Sequence, residues 1–305
     1  MSRALKQRFV QSVRKHRLWG PHEELLVAVS GGMDSMVLLD LLVATHGLLG
    51  GVLSVCCVDH GVRGESGKKD LAFVSHACAK YGIPFRPMTL KNDRKDEAAL
   101  RRKRYSALQS VGGGAVIVTA HHADDQLETV LINLIRGSGP RGLAGIPRVR
   151  DNIVRPLLDF SREQLADWAQ FRSLSWREDE TNQSQKYLRN KIRLSIIPEL
   201  KSIQNNITNG TTRLTEQLRE DDQALNELLL KSDKWDEGEK AWPTPWLVTV
   251  HPAIARRSLL LHLNGVENRH IAAILHAAHQ GSGKIELGAG RYVVVTKKRT
   301  GLACE

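Results

Sequence analysis

Cysteine is scarce in this chain: four in 305 residues, Cys56, Cys57, Cys78 and Cys304, with no two spaced as a CxxC pair. A chain of this length buries a sizeable core without disulfide staples. The spacing therefore argues against a structural zinc site and for a reducing compartment. Long apolar runs are also missing; none approaches the ~18 residues of a membrane span. Acid is short as well, 33 Asp and Glu against 44 Lys and Arg, which leaves a net charge of +11. That balance asks for a polyanionic partner or serves solubility. The opening stretch MSRALKQRFVQSVRKHRLW has no acid at all, a bias shared with organelle transit peptides. Yet Leu5, Phe9 and Val13 recur every four residues, and strand-like sequence begins at Leu25. The spacing predicts a basic amphipathic first helix of the domain, in a cytoplasmic protein.

What is present is organised around LLVAVSGGMDSMVLLD, Leu25 to Asp40. An apolar strand runs into a turn of small residues and then directly into a helix. Backbone N–H groups at such a helix start converge on one spot, and the helix dipole adds roughly half a positive charge there. Gly31 and Gly32 let an anion approach the backbone. The same joint can also be mere packing. Downstream, strand-like and helix-like segments alternate: strands at 53–58, 83–90 and 115–120, helices at 67–81, 98–111 and 123–136. Pro84 and Pro87 place the 83–90 strand near an edge or make it irregular. About two domains are expected at this length, and the alternation predicts an α/β parallel sheet built by right-handed crossovers. Polar clusters fall where strands end: Ser30 to Ser35, Asp59-His60 and His121-His122. Ligands gather on that edge of such sheets.

Two motif matches fail on context. GSGPRG (137–142) follows a helix and contains a proline, whereas a dinucleotide fingerprint follows a strand. GSGK (281–284) lacks the glycine and hydroxyl of a phosphate loop. TAHHADDQLE (119–128) is more informative. Asp125 to Glu128 has capping-box spacing, and Leu127, Val130, Leu131 and Leu134 form a helical stripe. Two histidines beside carboxylates on a strand-to-helix turn also suit Mg²⁺, phosphate or proton handling. KNDRKDEAALRRKRY (91–105) is strongly basic, either a solvated face or an anion contact. From about residue 205 the pattern changes to a long polar helix (207–230), a turn-rich junction at Trp242 to Trp246, two helices (252–263 and 269–279) and a hairpin (284–287 with 292–296). The basic tail Lys297-Lys298-Arg299 and His262, His270, His276 and His279 suit RNA backbone contact, though no stacking aromatic stands out.

SGGMDS (30–35) resembles the SGGxDS loop of the PP-loop, or N-type, ATP pyrophosphatases. VDHGVRGES (58–66), AHHADDQLET (120–129), RGSGPRGLAGI (136–146) and EDETNQSQKYLRNKIR (178–193) together resemble the tRNA(Ile)-lysidine synthetase family, over roughly residues 20 to 200. The resemblance implies an ATP pyrophosphatase domain over 1–204 and a connector helix with a small α+β tRNA-recognition domain over 205–305. Longer members carry one more C-terminal domain than this length accommodates. It further implies adenylation of the wobble cytidine of tRNA(Ile) with a CAU anticodon, then attack by L-lysine, with ATP and Mg²⁺ consumed or bound and no membrane involved. Family analogy also implies a homodimer. Position by position, Ser30, Gly31, Gly32, Met33, Asp34 and Ser35 would hold ATP phosphates, and Asp59 and His60 the adenosine. Asp34, His121, His122, Asp124, Asp125 and Glu128 would surround the reacting groups, with Asp34 and Asp125 on the metal. Arg63, Arg101, Arg104, Arg189, Asn190 and Arg193 would contact tRNA or substrate. Leu100 departs from the family, which has alanine there.

Three other readings use the same residues. A cytidine-thiolating enzyme needs sulfur-carrying cysteines, and Cys56-Cys57 has the wrong spacing. An ammonia-dependent AMP-forming synthetase needs no basic surface. A non-catalytic RNA-binding protein needs no Asp34.

Overall fold

The computed structural model describes residues 2–59, 61, 65–90, 97–178 and 188–304. His60, Arg63 and the middle of the EDETNQSQKYLRNKIR stretch lie outside the described residues. Contacts divide the chain into two compact units, Met1–Glu216 and Gln217–Glu305. The division falls inside the long helix expected from residue 207, because Thr215 and Glu216 bond to the first unit, to Gln126 and Arg148.

The first unit opens with α1 (Ser2–Lys15), whose Leu5, Phe9 and Val13 are all buried, as the four-residue spacing predicts. Then come β1 (Glu24–Ala28), α2 (Met33–Leu49), β2 (Val52–Asp59), α3 (Glu65–Tyr81), β3 (Phe85–Thr89), α4 (Glu97–Gly112), β4 (Val116–Val118) and α5 (Ala123–Ile135). A short α6 (Pro140–Leu143), a two-strand turn of β5 (Val149–Arg150) and β6 (Ile153–Val154), and α7 (Arg162–Phe171) follow. The sheet order is β3-β2-β1-β4-β6-β5. All neighbours are parallel except β5 with β6. Leu25, Leu26 and Val27 of the central β1 are fully buried, as expected where helices cover both faces. β3 takes the edge, where a proline such as its Pro87 is tolerated. The β5–β6 turn and α7 have no counterpart in the pattern reading. Two-residue strands are too short to alternate, but the Ser161–Gln164 capping box that starts α7 is written in the sequence.

A buried carboxylate ties α2 to its neighbours. Asp40 accepts from Tyr81 Oη at 3.0 Å, Trp168 Nε1 at 2.9 Å and Arg172 Nε at 3.0 Å. Burial, then Asp40, pushes the Tyr81 phenol up to about 12. The unit continues as one helical run: α8 (Leu188–Lys191), a π-helical turn (Ile192–Ile196) and α9 (Ile197–Ile203), then α10 (Ile207–Ser232). Ile192 and Ile197 pack against Leu127 and Ile132 of α5. Leu134, expected in that stripe, is instead exposed.

The second unit comprises the rest of α10, β7 (Ala241–Pro243), α11 (Thr244–Thr249), α12 (Pro252–His262), α13 (Asn268–Gln280), β8 (Ser282–Gly288), β9 (Arg291–Thr296) and β10 (Arg299–Cys304). Its sheet is antiparallel, in the order β7-β10-β9-β8. Three expectations change here. Lys297 and Lys298 form the turn into a strand that Arg299 begins, and are not a tail. Trp242 is no junction residue but the fully buried centre of the core. Its indole donates to Ser258 at 2.7 Å, and Ser258 donates to Asp233 at 2.7 Å. His262 meets the other Asp233 oxygen at 2.8 Å and stacks on Trp235, so it is spent inside this unit.

Candidate active site

β1 lies between β2 and β4, and the order reverses there: β2 and β3 extend to one side, β4 and β6 to the other. Such a switch point leaves a crevice outside the strands' carboxyl ends. Both informative motifs leave their strands at that crevice, Ser30–Ser35 from β1 and Thr119–Asp125 from β4.

The first loop is laced by its own atoms. Ser35 Oγ accepts from the Ser30 N–H at 3.2 Å and donates to the Gly32 carbonyl at 2.8 Å. Gly31 has φ +85°, a left-handed conformation that favours glycine. Its carbonyl accepts from the Arg177 N–H at 2.9 Å. Gly32 caps α2 without a side-chain hydrogen bond. The first N–H groups of the helix thus have no partner within it, at its positive end. Met33 is buried in the core, and only its backbone serves the loop.

Asp34 connects the two loops. Its Oδ2 lies 3.5 Å from His122 Nε2, while Oδ1 is buried with no hydrogen-bond partner. His122 is itself buried and caps α5. Its backbone N–H donates to Asp125 Oδ2 at 3.1 Å, and its Nε2 lies 3.5 Å from the same oxygen. The capping pair is therefore His122 with Asp125, not Asp125 with Glu128. Burial alone would lower the His122 pKa, but Asp125, Asp34 and Asp124 outweigh it and raise it above the ordinary histidine value. Burial likewise opposes the Asp125 carboxylate. His122, His121, the His122 N–H and Arg193 overcome that and hold its pKa low.

Charges alternate outward from there. Asp125 Oδ1 meets Arg193 Nη2 at 3.2 Å, and Arg193 Nη2 meets Glu128 Oε2 at 2.8 Å. The other oxygen of Glu128 pairs with Arg189. Glu128 is buried, whereas the two arginines are partly exposed. Pro198 has no N–H to donate to the Leu194 carbonyl four residues back. The backbone widens there into the π turn, whose Ile197 N–H reaches Ile192. π turns of this kind gather at functional sites.

Not every expected residue enters the cluster in the same way. Asp124 divides its oxygens: Oδ2 accepts the Arg162 N–H at 2.7 Å at the start of α7 and lies 3.9 Å from His122 Nδ1, while Oδ1 pairs with Lys201. His121 Nδ1 lies 3.0 Å from Thr119 Oγ1. Asp59 ends β2 and accepts the Gly61 N–H at 2.9 Å. Its carboxylate occupies the space a side chain at Gly67 would need. Arg104 lies over the Tyr105 ring within α4; the side chain of Arg101 lies outside the described residues. Asn190 follows Arg189 on α8, and Arg193 lies beyond it in the π turn.

Two residues unread in the sequence belong here. Gln126 is buried and binds both sides of Ile146, accepting its N–H at 2.5 Å and donating to its carbonyl at 3.1 Å. It thereby fastens the GLAGI stretch under α5. Arg177 is the other, through Gly31. The readable signal for Gln126 is an amide on the apolar side of a helix that otherwise carries Leu127 and Val130.

A divalent cation fits Asp34, whose buried Oδ1 lacks a partner beside a helix N-terminus. Asp125 has both oxygens engaged by His122 and Arg193. Among the described residues no group of three or more His, Cys, Asp and Glu side chains is arranged to hold a metal. Mg²⁺ commonly takes one or two carboxylates and completes its shell with phosphates and water. Cys56, Cys57 and Cys78 are buried, and burial pushes them up to about 11, 12 and 11. They are poor sulfur carriers.

A switch-point crevice with an anion-binding loop defines a nucleotide-handling PP-loop protein, and residues 1–200 match the model of the PP-loop domain family. Among curated relatives, the tRNA(Ile)-lysidine synthase of Exiguobacterium sibiricum is 43% identical over 63% of this chain and 47% of its own. That of Bacteroides thetaiotaomicron is 32% identical over 92% of this chain and 67% of its own. The chain belongs to the tRNA(Ile)-lysidine synthase family of PP-loop proteins. It spans about half the length of several curated relatives it matches. A solved U34-tRNA thiolase, NcsA from Methanococcus maripaludis, superposes with a TM-score of 0.59 at 19% identity, over 72% of this chain and 79% of that one. This likeness is one of fold. No helix among the described residues is long and apolar enough to cross a membrane.

Proposed function

We propose that this protein joins L-lysine to C2 of the wobble cytidine of tRNA(Ile) with a CAU anticodon. The cytidine O2 attacks the α-phosphorus of ATP and pyrophosphate leaves. The lysine amine then attacks C2, sheds a proton, and AMP departs with the original oxygen. The observation carrying this reading is the 3.5 Å approach of Asp34 to His122, which brings the anion loop of β1 and the charged turn of β4 to one place. The names of the relatives support the choice of substrate.

The chain's own residues have distinct tasks. The N–H groups at Gly32 to Ser35 receive the leaving pyrophosphate, where the helix dipole stabilises growing negative charge. Asp34 holds Mg²⁺, which supplies charge neutralisation at the phosphates when bound. His122, placed between Asp34 and Asp125, faces the same developing charge. Glu128 aims Arg189 and Arg193 at the tRNA or the nucleotide. Asp59 and His60 flank the adenosine; Arg63, Arg101, Arg104 and Asn190 contact substrate. We assign catalysis to the first unit, tRNA recognition to the second, and the reaction to the cytoplasm.

AMP formation tests the assignment. It is expected to require the CAU-anticodon isoleucine tRNA and lysine together. AMP formed with ammonia and no tRNA would place the protein among ammonia-dependent synthetases instead.

A further inference from the structure

Helix α3 and the segment that follows α7 grip the anion loop from outside. Phe73 and Val74 of α3 stand against Gly31, each 3.6 Å from where a Cβ would project. One turn earlier on α3, Asp70 pairs with the Arg177 guanidinium. The Arg177 backbone N–H then donates to the Gly31 carbonyl at 2.9 Å. A trans peptide points its C=O and N–H in opposite directions. Fixing the Gly31 carbonyl on Arg177 therefore turns the Gly32 N–H the other way, into the loop, where Ser30 Oγ lies 3.4 Å from it. Between two glycines this peptide is free to flip, because neither neighbour restricts it. Flipped, it would present a carbonyl to an anion.

We propose that the Asp70–Arg177 pair is a strut that locks the Gly31–Gly32 peptide in its anion-binding orientation, making both residues positioning residues for ATP. The inference rests on reading the loop as the cradle of the ATP phosphates. Neither residue touches the reacting atoms, so the strut acts on nucleotide affinity and not on the chemical step.

The test compares the full chain with Asp70→Asn, Arg177→Gln, the double variant and the charge-reversed pair Asp70→Arg/Arg177→Asp. MgATP affinity is measured by calorimetry, beside steady-state kinetics and tRNA affinity. Each single variant is expected to weaken ATP binding and raise its KM about fivefold, the scale of a partly exposed ion pair. At saturating ATP, kcat stays within about twofold, and tRNA affinity is unchanged. The double variant is no worse than either single one, since both remove one interaction. The reversed pair recovers most of the affinity, and remains informative if a single variant fails to fold. Unchanged ATP affinity in the singles, a fall in kcat with KM intact, or a folded reversed pair without recovery would each overturn the strut. Wild-type protein that binds no MgATP would instead overturn the cradle reading beneath it.

Discussion

Asp34 carries two duties on one side chain: Oδ2 faces His122, and Oδ1 waits unpartnered in a buried position. Replacing it with alanine removes the candidate metal ligand but leaves the basic surface intact. Asp34→Ala is expected to cut pyrophosphate release by at least ~100-fold while tRNA binding in a filter assay stays at the wild-type level. Glu128 gives a different signature. It is buried, yet its arginine partners reach solvent and can rehydrate. Glu128→Ala should therefore cost about 2 kcal/mol in a denaturant titration, below the 3–5 of a fully buried broken pair. Activity should fall further than stability, because Arg189 and Arg193 lose their aim. Sequence reading recognised these residues as a cluster but could not assign them. Asp124 and Asp125 are adjacent acids of the same type, and only the third dimension sends one to the Arg162 N–H and the other to His122.

At the scale of elements, the helix that carries the arginines is interrupted on purpose by Pro198. In Pro198→Ala the missing N–H returns, and the π turn can relax to regular α-helix. That change rotates Arg189 relative to α9. The expected outcome is unchanged or slightly raised melting temperature with a loss of roughly tenfold in activity, read by parallel melting and turnover assays. Strands and helices of the sheet unit were legible because buried parallel strands read as apolar runs and glycines end the helices, as at Gly82 and Gly112. The β5–β6 turn was not legible, since two residues make no period. Nor was β10: its sequence RTGLAC has little strand character, and pairing with β9 and β7 supplies the order. Trp242 misled for a related reason, as the two prolines after it look like a loop, whereas Pro243 ends a short strand and Pro245 opens a helix.

The whole molecule has a core in each unit, and the second carries its own acid sensitivity. Burial would raise the Asp233 pKa, but Ser258, His262 and the Trp235 N–H outweigh it and hold it low. The unfolded chain then binds the proton more readily than the folded one. This carboxylate contributes its full stability above its ordinary pKa of about 3.9, and loses it as pH falls through the lower folded value. Hydrogen exchange over residues 241–263 is expected to accelerate across that window. Asp233→Asn should be less stable at neutral pH but lose less on acidification. An equal acid loss in the variant would contradict the assignment.

In the proposed reaction one crevice activates a cytidine and delivers it to lysine. That reaction is tested most directly by mixing the protein with ATP, Mg²⁺, radiolabelled lysine and tRNA transcripts of either the isoleucine or the methionine kind, both with CAU anticodons. Label is expected in the isoleucine transcript alone, with AMP and pyrophosphate formed in equal amounts. Label in neither transcript, from protein shown to be folded, would contradict it.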